Sequence, residues 1–245
     1  MSQTDRDLLA IEAATIYVLT DSGRILHRSS PDRKEGPRFR LASCASGHVV
    51  LIRHDVAEAT ARAIEGLVAR EPALWRPDSA PAHLNEYRRL LGEAPFDGSD
   101  AELIWTFPDR LDYDHSAELV RSDTPEGDRM LARLTERGMP EPLSEMGFVD
   151  VGEFWAPWCV ALQGDEIASL AFTVGMGPAS AEVGVNTVPA FRGRGLAAAA
   201  TAGWASLPAN SGRVLFYGAS RTNVSSQRVT QRLGLRLIGT SLAIA

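Results

Sequence analysis

The chain has 245 residues, of which 44% are hydrophobic and 23% charged, and its formal net charge is −6. This composition is that of a globular protein and excludes disordered and fibrous chains, while the length suits one large domain or two ordinary ones. The N-terminus is charged, and no apolar run approaches the roughly 20 residues that span a bilayer. We therefore expect a cytoplasmic protein without a secretion signal and without a membrane partner.

The net charge averages two segments of opposite character. Residues 138–191 contain acids but no Lys or Arg, whereas no Asp or Glu follows Glu182. The basic residues beyond Glu182 are Arg192, Arg194, Arg213, Arg221, Arg228, Arg232 and Arg236. Such segregation indicates what a surface binds, not which fold it has.

The N-terminal part of the chain predicts a small α+β unit. A helix, two hairpins, two further helices and one strand are expected, at residues 5–15, 16–26, 38–53, 55–70, 83–91 and 103–107. Asp55, with Glu58 three residues later, resembles a capping box for the helix expected at 55–70. The proline-rich stretch 72–81 and the turn-rich segment 97–114 interrupt the pattern, and we place a domain boundary after residue 112.

Residues 113–245 predict a second domain with a mixed sheet. A strand, a helix that opens at Thr124-Pro125 and a short helix are expected at 117–121, 124–137 and 143–154. Three runs that form an antiparallel meander follow at 158–162, 167–174 and 182–188. The C-terminal part alternates helix and strand, at 195–204, 214–217, 225–233 and 235–245. This order predicts an α/β, or mixed α+β, fold.

The segment 182–197, EVGVNTVPAFRGRGLA, predicts a strand that leads through a glycine-rich turn into a helix. Glycines let the backbone approach a ligand closely, and the first N–H groups of a helix lack intrahelical acceptors. Arg192 and Arg194 add charged donors, so the segment favours a phosphate or pyrophosphate. A dinucleotide site needs an acid about 20 residues later, and a Walker loop needs Gly-Lys-Ser/Thr; both are absent. A turn that only packs a helix on a sheet is the structural alternative.

The same segment resembles the acyl-CoA signature of the GNAT superfamily of N-acetyltransferases, R/Q-x-x-G-x-G/A after a strand that ends in a Val-x-Pro-like turn. Residues 223–235, NVSSQRVTQRLGL, resemble the asparagine-led helix of that family, which ends in Leu-Gly-Phe. The order of elements over 117–245 also matches. The resemblance implies a GNAT-like sheet with splayed central strands flanked by helices, preceded here by a small α+β N-terminal domain, and acetyl-CoA as co-substrate.

The resemblance also implies which residues bind coenzyme A. The backbone at Thr187 and Val188 would pair with the pantetheine arm, and an N–H near Val188 would polarise the thioester carbonyl. The pyrophosphate would lie on the loop of Arg192, Gly193, Arg194, Gly195, Leu196 and Ala197. Asn223 would bond the arm, cap its helix, or do both. Arg228 and Arg232 share a helix face that either reaches a phosphate or is simply solvated.

The general acid and the general base of the transfer reaction follow less directly from the sequence. Glu182 is the expected base, directly or through a water, and its alternative is a solvent-facing strand residue. Family members often carry a tyrosine acid seven residues after the asparagine, where this chain has Thr230, and Leu235 replaces the usual phenylalanine. Ser226, Tyr217 or water must then protonate the leaving thiolate, or the thiolate leaves unassisted.

Other candidate residues are weaker. Cys44 and His48 have ligand spacing but no second pair, so no metal site is predicted. Cys159 looks like a core residue rather than an acyl-carrying nucleophile. The segment 112–115 reads as a linker, and Trp155 and Trp158 either line an acceptor cleft or fill the core. The acids proposed to attract a cationic amine are Glu141, Glu145, Asp150 and Glu153.

We thus predict an N-acetyltransferase that transfers an acetyl group from acetyl-CoA to a primary amine by direct attack in a ternary complex. The acceptor would be a small molecule or a peptide. The alternative is a catalytically inactive CoA-binding regulator or scaffold, which the missing tyrosine leaves open. Nucleic acid is not an expected partner, because no aromatic residues interleave the arginines as stacking platforms.

Overall fold

The computed structural model describes residues 3–72, 80–94 and 101–245; parts of the predicted proline-rich stretch and of the turn-rich segment 97–114 lie outside them. The strands are β1 (Tyr17–Leu19), β2 (Ile25–Arg28), β3 (Phe39–Cys44), β4 (Gly47–Ile52), β5 (Glu102–Thr106), β6 (Glu118–Arg121), β7 (Trp158–Gln163), β8 (Glu166–Met176), β9 (Ser180–Thr187), β10 (Val214–Ser220) and β11 (Arg236–Ile244). The α-helices are α1 (Asp5–Ile16), α2 (Glu58–Val68), α3 (Leu84–Leu90), α4 (Pro125–Arg137), α5 (Glu141–Ser144), α6 (Leu196–Ala205) and α7 (Val224–Arg232).

The chain forms two compact units that are not contiguous in sequence. The first comprises Met1–Thr106, Gly218–Val224 and Arg236–Ala245, and the second comprises Phe107–Tyr217 and Ser225–Leu235. The C-terminal strand β11 therefore joins the N-terminal part of the chain, which its place in the sequence did not indicate. The predicted division into domains 1–112 and 113–245 stays a prediction.

The first unit contains an antiparallel sheet in the order β4-β3-β11-β5. Side chains alternate between the two faces of a strand, so Phe39 and Leu41 of β3 pack with Ile64 of α2 and Tyr87 of α3. Arg40 points to the other face, where it bonds Glu12 of α1. The β1–β2 hairpin packs near that face through a small apolar cluster.

The second unit contains five strands in the order β6-β7-β8-β9-β10, antiparallel except for the parallel pair β9–β10. Trp158 and Val160 of β7 pack in a core with Met130 of α4 and Leu143 of α5. Cys159 points to the opposite face, where α6 packs. Helix α6 links the two parallel strands, as a parallel connection requires. The mixed α+β class and the flanking helices are thus confirmed.

Two local predictions were wrong. Asp55 does not cap α2, whose N-cap is Ala57, because Arg53 donates to both Asp55 carboxylate oxygens at 2.8 and 2.9 Å. The expected helix over 143–154 is instead α5 and a separate 3-10 turn at Val151–Glu153. Gly147 lies between them at φ 95°, a left-handed conformation that ends a helix.

Candidate functional site

Strands β9 and β10 separate part of the way along the second unit's sheet. Their parallel pairing covers only Ser180–Val183 of β9 and Val214–Tyr217 of β10. Within the described residues, the next four positions of β9, 184–187, pair with β8 alone and are half-buried, whereas positions 180–183 are buried. The sheet therefore has a local opening with a free strand edge, as the resemblance implied.

The direction of each backbone group on this edge follows from one hydrogen bond. Val188 N–H donates to the Ala168 carbonyl at 3.0 Å, and the Val188 carbonyl accepts from Phe191 N–H at 2.9 Å. The backbone N–H and carbonyl groups of successive residues point to opposite sides of an antiparallel strand. Those of Val185 and Thr187 therefore point to the open edge. The predicted carbonyl-polarising N–H is thus not that of Val188, whose N–H and carbonyl are both already bonded.

The glycine-rich loop follows this edge and leads into α6. Gly193 and Gly195 have φ of 80° and 84°, a region that favours glycine. No side chain caps α6 among the described residues, so its first N–H groups point outward as donors. The Arg232 Nη1 and the Tyr113 hydroxyl lie 3.2 and 3.8 Å from the position that a Cβ on Gly195 would take. Tyr113 was missed because the segment 112–115 reads as a linker and lies far from the loop in sequence.

The arginines divide between structural and open positions. Arg213 donates to the carbonyls of Ala209, Gly177 and Pro178, and Arg236 pairs with Asp5. These two hold loops and termini rather than a ligand. In the loop, Arg192 Nε donates to the Thr187 carbonyl at 3.3 Å, and Arg194 lies over the Phe191 ring and donates to the Ala190 carbonyl. Arg228 and Arg232 are exposed on α7.

The two candidate acids contact one another. Tyr217, at the last paired position of β10, is 1% exposed, and Ser226 of α7 lies close enough to influence its pKa. Burial raises the pKa of Tyr217 above its ordinary value, against the opposing effect of Ser226, so the phenol keeps its proton at neutral pH. Thr230 is buried and donates to the Gln227 carbonyl within its own helix, so it faces no ligand.

The remaining candidates lie in varied surroundings. Glu182 is buried in the paired part of β9, so it is not a solvent-facing residue. Asn223 is exposed in the first unit, directly before α7, and its N–H donates to the Ser220 carbonyl. Burial raises the pKa of the Cys159 thiol to about 12, which excludes a thiolate nucleophile at neutral pH. Trp158 is a core residue, whereas Trp155 is half-buried and meets the Phe172 ring edge-on.

The acids proposed to attract an amine are only partly available. Asp150 and Glu153 form a reciprocal capping box around the 3-10 turn, so both carboxylates already accept backbone N–H groups. Glu141 and Glu145 are exposed. In the part of the chain that the structure describes, no cluster of three or more His, Cys, Asp or Glu has the geometry to hold a metal ion. None of the helices described there has both the length and the apolar character that crossing a membrane requires.

Comparison with known proteins covers the same region. Residues 158–240 match the family model of the GNAT acetyltransferases. No curated protein matches the chain. Among solved structures, a GNAT-family protein described as an acetyltransferase from Novosphingobium aromaticivorans has 23% identity and a TM-score of 0.42, over 60% of this chain and 64% of that one. A GCN5-related N-acetyltransferase-like protein from Streptococcus suis has 17% identity and a TM-score of 0.44, over 85% and 84%.

A third solved structure, the diaminobutyrate acetyltransferase EctA from Paenibacillus lautus with L-2,4-diaminobutyric acid and coenzyme A, has 19% identity and a TM-score of 0.32, over 47% of this chain and 74% of that one. At these low scores the solved structures do not identify a substrate for this chain. The family model is more informative, because its matched segment holds the opened edge of β9, the glycine-rich loop, α6 and the whole asparagine-led helix, in that order. Residues 158–240 of this chain are therefore similar to the GNAT acetyltransferase family.

Proposed function

We propose that this chain is an N-acetyltransferase that joins the acetyl group of acetyl-CoA to a primary amine within a ternary complex. The observation that supports this most directly is the open edge of β9, which leads without interruption into a glycine-rich loop and an uncapped helix N-terminus. An extended amide-containing chain fits the first feature, and a pyrophosphate fits the second.

The residues present fit three parts of coenzyme A: the pantetheine arm, the pyrophosphate and the further phosphate. The open-edge backbone groups of Val185 and the N–H of Thr187 would bond the amides of the pantetheine arm, as an added strand does. The N–H groups of Gly195, Leu196 and Ala197 would hold the pyrophosphate, with Arg192, Arg194 and Arg232 beside them. Asn223 would bond the arm, and Arg228 would reach a further phosphate. Bound there, the cofactor supplies a thioester as the acyl donor.

In the proposed reaction the amine nitrogen attacks the thioester carbonyl, the carbon–sulfur bond breaks, and an amide and a thiol result. A Val185 or Thr187 N–H would stabilise the negative charge that develops on the carbonyl oxygen. Glu182 would take the amine proton through a water, since its carboxylate is buried. The Tyr217–Ser226 pair would return a proton to the sulfur. Ser226, the more exposed of the two, would be the direct donor, and Tyr217 would be its proton source.

The proposed acceptor is a cationic amine in a small molecule or peptide. Glu141 and Glu145 are the exposed acids that would attract it, since Asp150 and Glu153 are engaged in capping. The activity is tested by thiol release from acetyl-CoA across a panel of amines, together with calorimetric binding of CoA. Turnover that favours polyamines over anionic amines is expected. Binding without turnover across the panel would instead favour a CoA-binding regulator, and no binding at all would contradict both functions.

The loop assignment is tested by Gly195→Glu, which places a carboxylate where the pyrophosphate is expected. We expect CoA affinity to fall by at least tenfold, because a like charge replaces an open donor site. The matched control is Gly212→Glu, which introduces the same residue at a glycine of similar φ, 72°, with no atom within 4 Å of its Cβ position. Unchanged CoA affinity in Gly195→Glu would show that the loop does not hold the pyrophosphate.

A further inference from the structure

A cavity of about 310 Å³ opens on the second unit, and the loop 192–195 is not part of its lining. It lies between the C-terminal half of α4, the segment that joins α4 to α5, and the β7–β8 turn. Leu143, Ile167 and Val188 are buried residues in its wall. Pockets that enclose small molecules measure about 300–1,000 Å³, so the cavity has room for one compact ligand.

The rim of this cavity carries charges of both signs. Arg133 and Arg137 line it one helical turn apart, and hence on one face of α4. Asp165 of the β7–β8 turn and Glu166, the first residue of β8, also line it. Across residues 3–72, 80–94 and 101–245, none of the four forms an ion pair or a side-chain hydrogen bond, although Arg129 on the same helix pairs with Glu126. The cavity thus offers two guanidinium groups and two carboxylates around an apolar wall.

We propose that this cavity binds a zwitterion with an apolar body, such as an amino acid with a large apolar side chain. The Arg133 and Arg137 guanidinium groups bind the carboxylate, and charge-assisted bonds to arginine are among the stronger ones in proteins. Asp165 and Glu166 bind the ammonium group. The apolar wall formed by Leu143, Ile167 and Val188 takes the side chain, because burial of apolar area against it removes that area from water.

Ligands of a single charge fit the same cavity less well. A fatty acid satisfies the arginines but brings its carboxylate near Asp165 and Glu166, and a polyamine meets two guanidinium groups. A small polar zwitterion leaves the apolar wall in water. The lining therefore selects a ligand that combines both charges with an apolar body. Binding of this ligand needs no coenzyme A, so the proposed site can be tested independently of the proposed transferase activity.

Calorimetric titration of the full chain without cofactor tests this site. Phenylalanine is the probe, and three analogues each lack one feature: phenethylamine has no carboxylate, 3-phenylpropionate has no ammonium group, and alanine has no large apolar body. We expect phenylalanine to bind at least tenfold more tightly than each analogue. Absence of phenylalanine binding, or equal affinity for all four compounds, overturns the proposal.

Variants connect the affinity to the named side chains. Arg133→Gln with Arg137→Gln is expected to weaken phenylalanine binding at least tenfold, while Arg129→Gln, outside the lining on the same helix, leaves it unchanged. Asp165→Asn, in an exposed turn, is expected to weaken phenylalanine but not 3-phenylpropionate. Parental phenylalanine affinity in the double arginine variant or in Asp165→Asn contradicts the assignment.

Discussion

Glu12 and Arg40 form an ion pair in the first unit from which water is almost entirely excluded. The Arg40 Nη2 lies 2.8 Å from both Glu12 carboxylate oxygens, and each side chain is only 2% exposed. The Arg40 guanidinium also lies over the Tyr17 ring, at 5.7 Å from its centroid. A buried charge left without its partner is costly, because the interior cannot replace the lost hydration.

We therefore expect Glu12→Gln to lower the free energy of unfolding by about 3–5 kcal/mol, measured by urea denaturation. The control is Glu126→Gln, which removes the partner of Arg129 in an exposed pair and should cost less than about 1 kcal/mol. Equal effects of the two substitutions would mean that the Glu12–Arg40 pair is solvated in solution.

Cys159 provides a second test at this scale. Burial raises the pKa of its thiol from 9.0 to about 12. The stability that the buried, protonated Cys159 thiol contributes is fully present below the unfolded-state pKa near 9. It is lost as the pH rises towards 12. In a Cys44→Ala variant, which retains this single thiol, we expect no labelling by a thiol reagent at pH 8 until the protein is unfolded with urea. Rapid labelling of the folded chain would contradict the buried position.

At the scale of elements, the contact between α6 and β7 depends on a residue without a side chain. A Cβ on Gly203 would lie 2.5 Å from the Cys159 Sγ and 2.8 Å from Leu119 Cδ1. Atoms cannot approach that closely, so a larger residue must move the helix away from the sheet. Such overpacking typically costs about 1–3 kcal/mol.

We expect Gly203→Ala to lower the free energy of unfolding by about 1–3 kcal/mol, even though alanine is the better helix former. Cys159→Ala removes the nearest atom and should restore part of the loss in the double variant. Gly66→Ala in α2 is the control, because its Cβ position has no atom within 4 Å, and it should stabilise by up to about 1 kcal/mol. A Gly203→Ala variant as stable as the parent, in thermal unfolding, would refute the close contact.

Most elements could be predicted because their signals are local. The runs at 158–162 and 167–174 predicted β7 and β8, and Thr124-Pro125 predicted the start of α4, whose observed N-cap is Thr124. The glycine-rich loop was predictable for the same reason, since its chemistry lies within one short segment. Asp55 shows where local signals fail: a neighbouring arginine competes for the same carboxylate, and sequence spacing does not rank the two partners.

The rest of the candidate site depends on contacts between distant segments. Nothing near Tyr113 in the sequence indicates that its hydroxyl lies beside Gly195, and the charged cavity combines residues from α4, the α4–α5 segment and the β7–β8 turn. The engagement of Val188 follows from sheet register, which a sequence pattern gives only approximately. The proximity of Tyr217 and Ser226 likewise required the structure.

At the scale of the whole molecule, β11 is an interior strand of the first unit's sheet. It pairs with β3 on one side and with β5 on the other. A fragment of residues 1–112 would lack this strand and expose the facing edges of both neighbours. We expect such a fragment to show no cooperative thermal transition by circular dichroism, in contrast to the full chain. A cooperative transition of the fragment at the temperature of the full chain would show that β11 is dispensable.

The position of β11 also sets the order in which the protein can be completed during synthesis. The ribosome releases the segments of the second unit, up to Leu235, before Arg236–Ala245 emerges. Until β11 is available, β3 and β5 of the first unit each lack the strand with which both of them pair. During that interval its apolar faces and open strand edges are exposed to other chains, so the N-terminal part is where chaperone contact and misassociation are most expected.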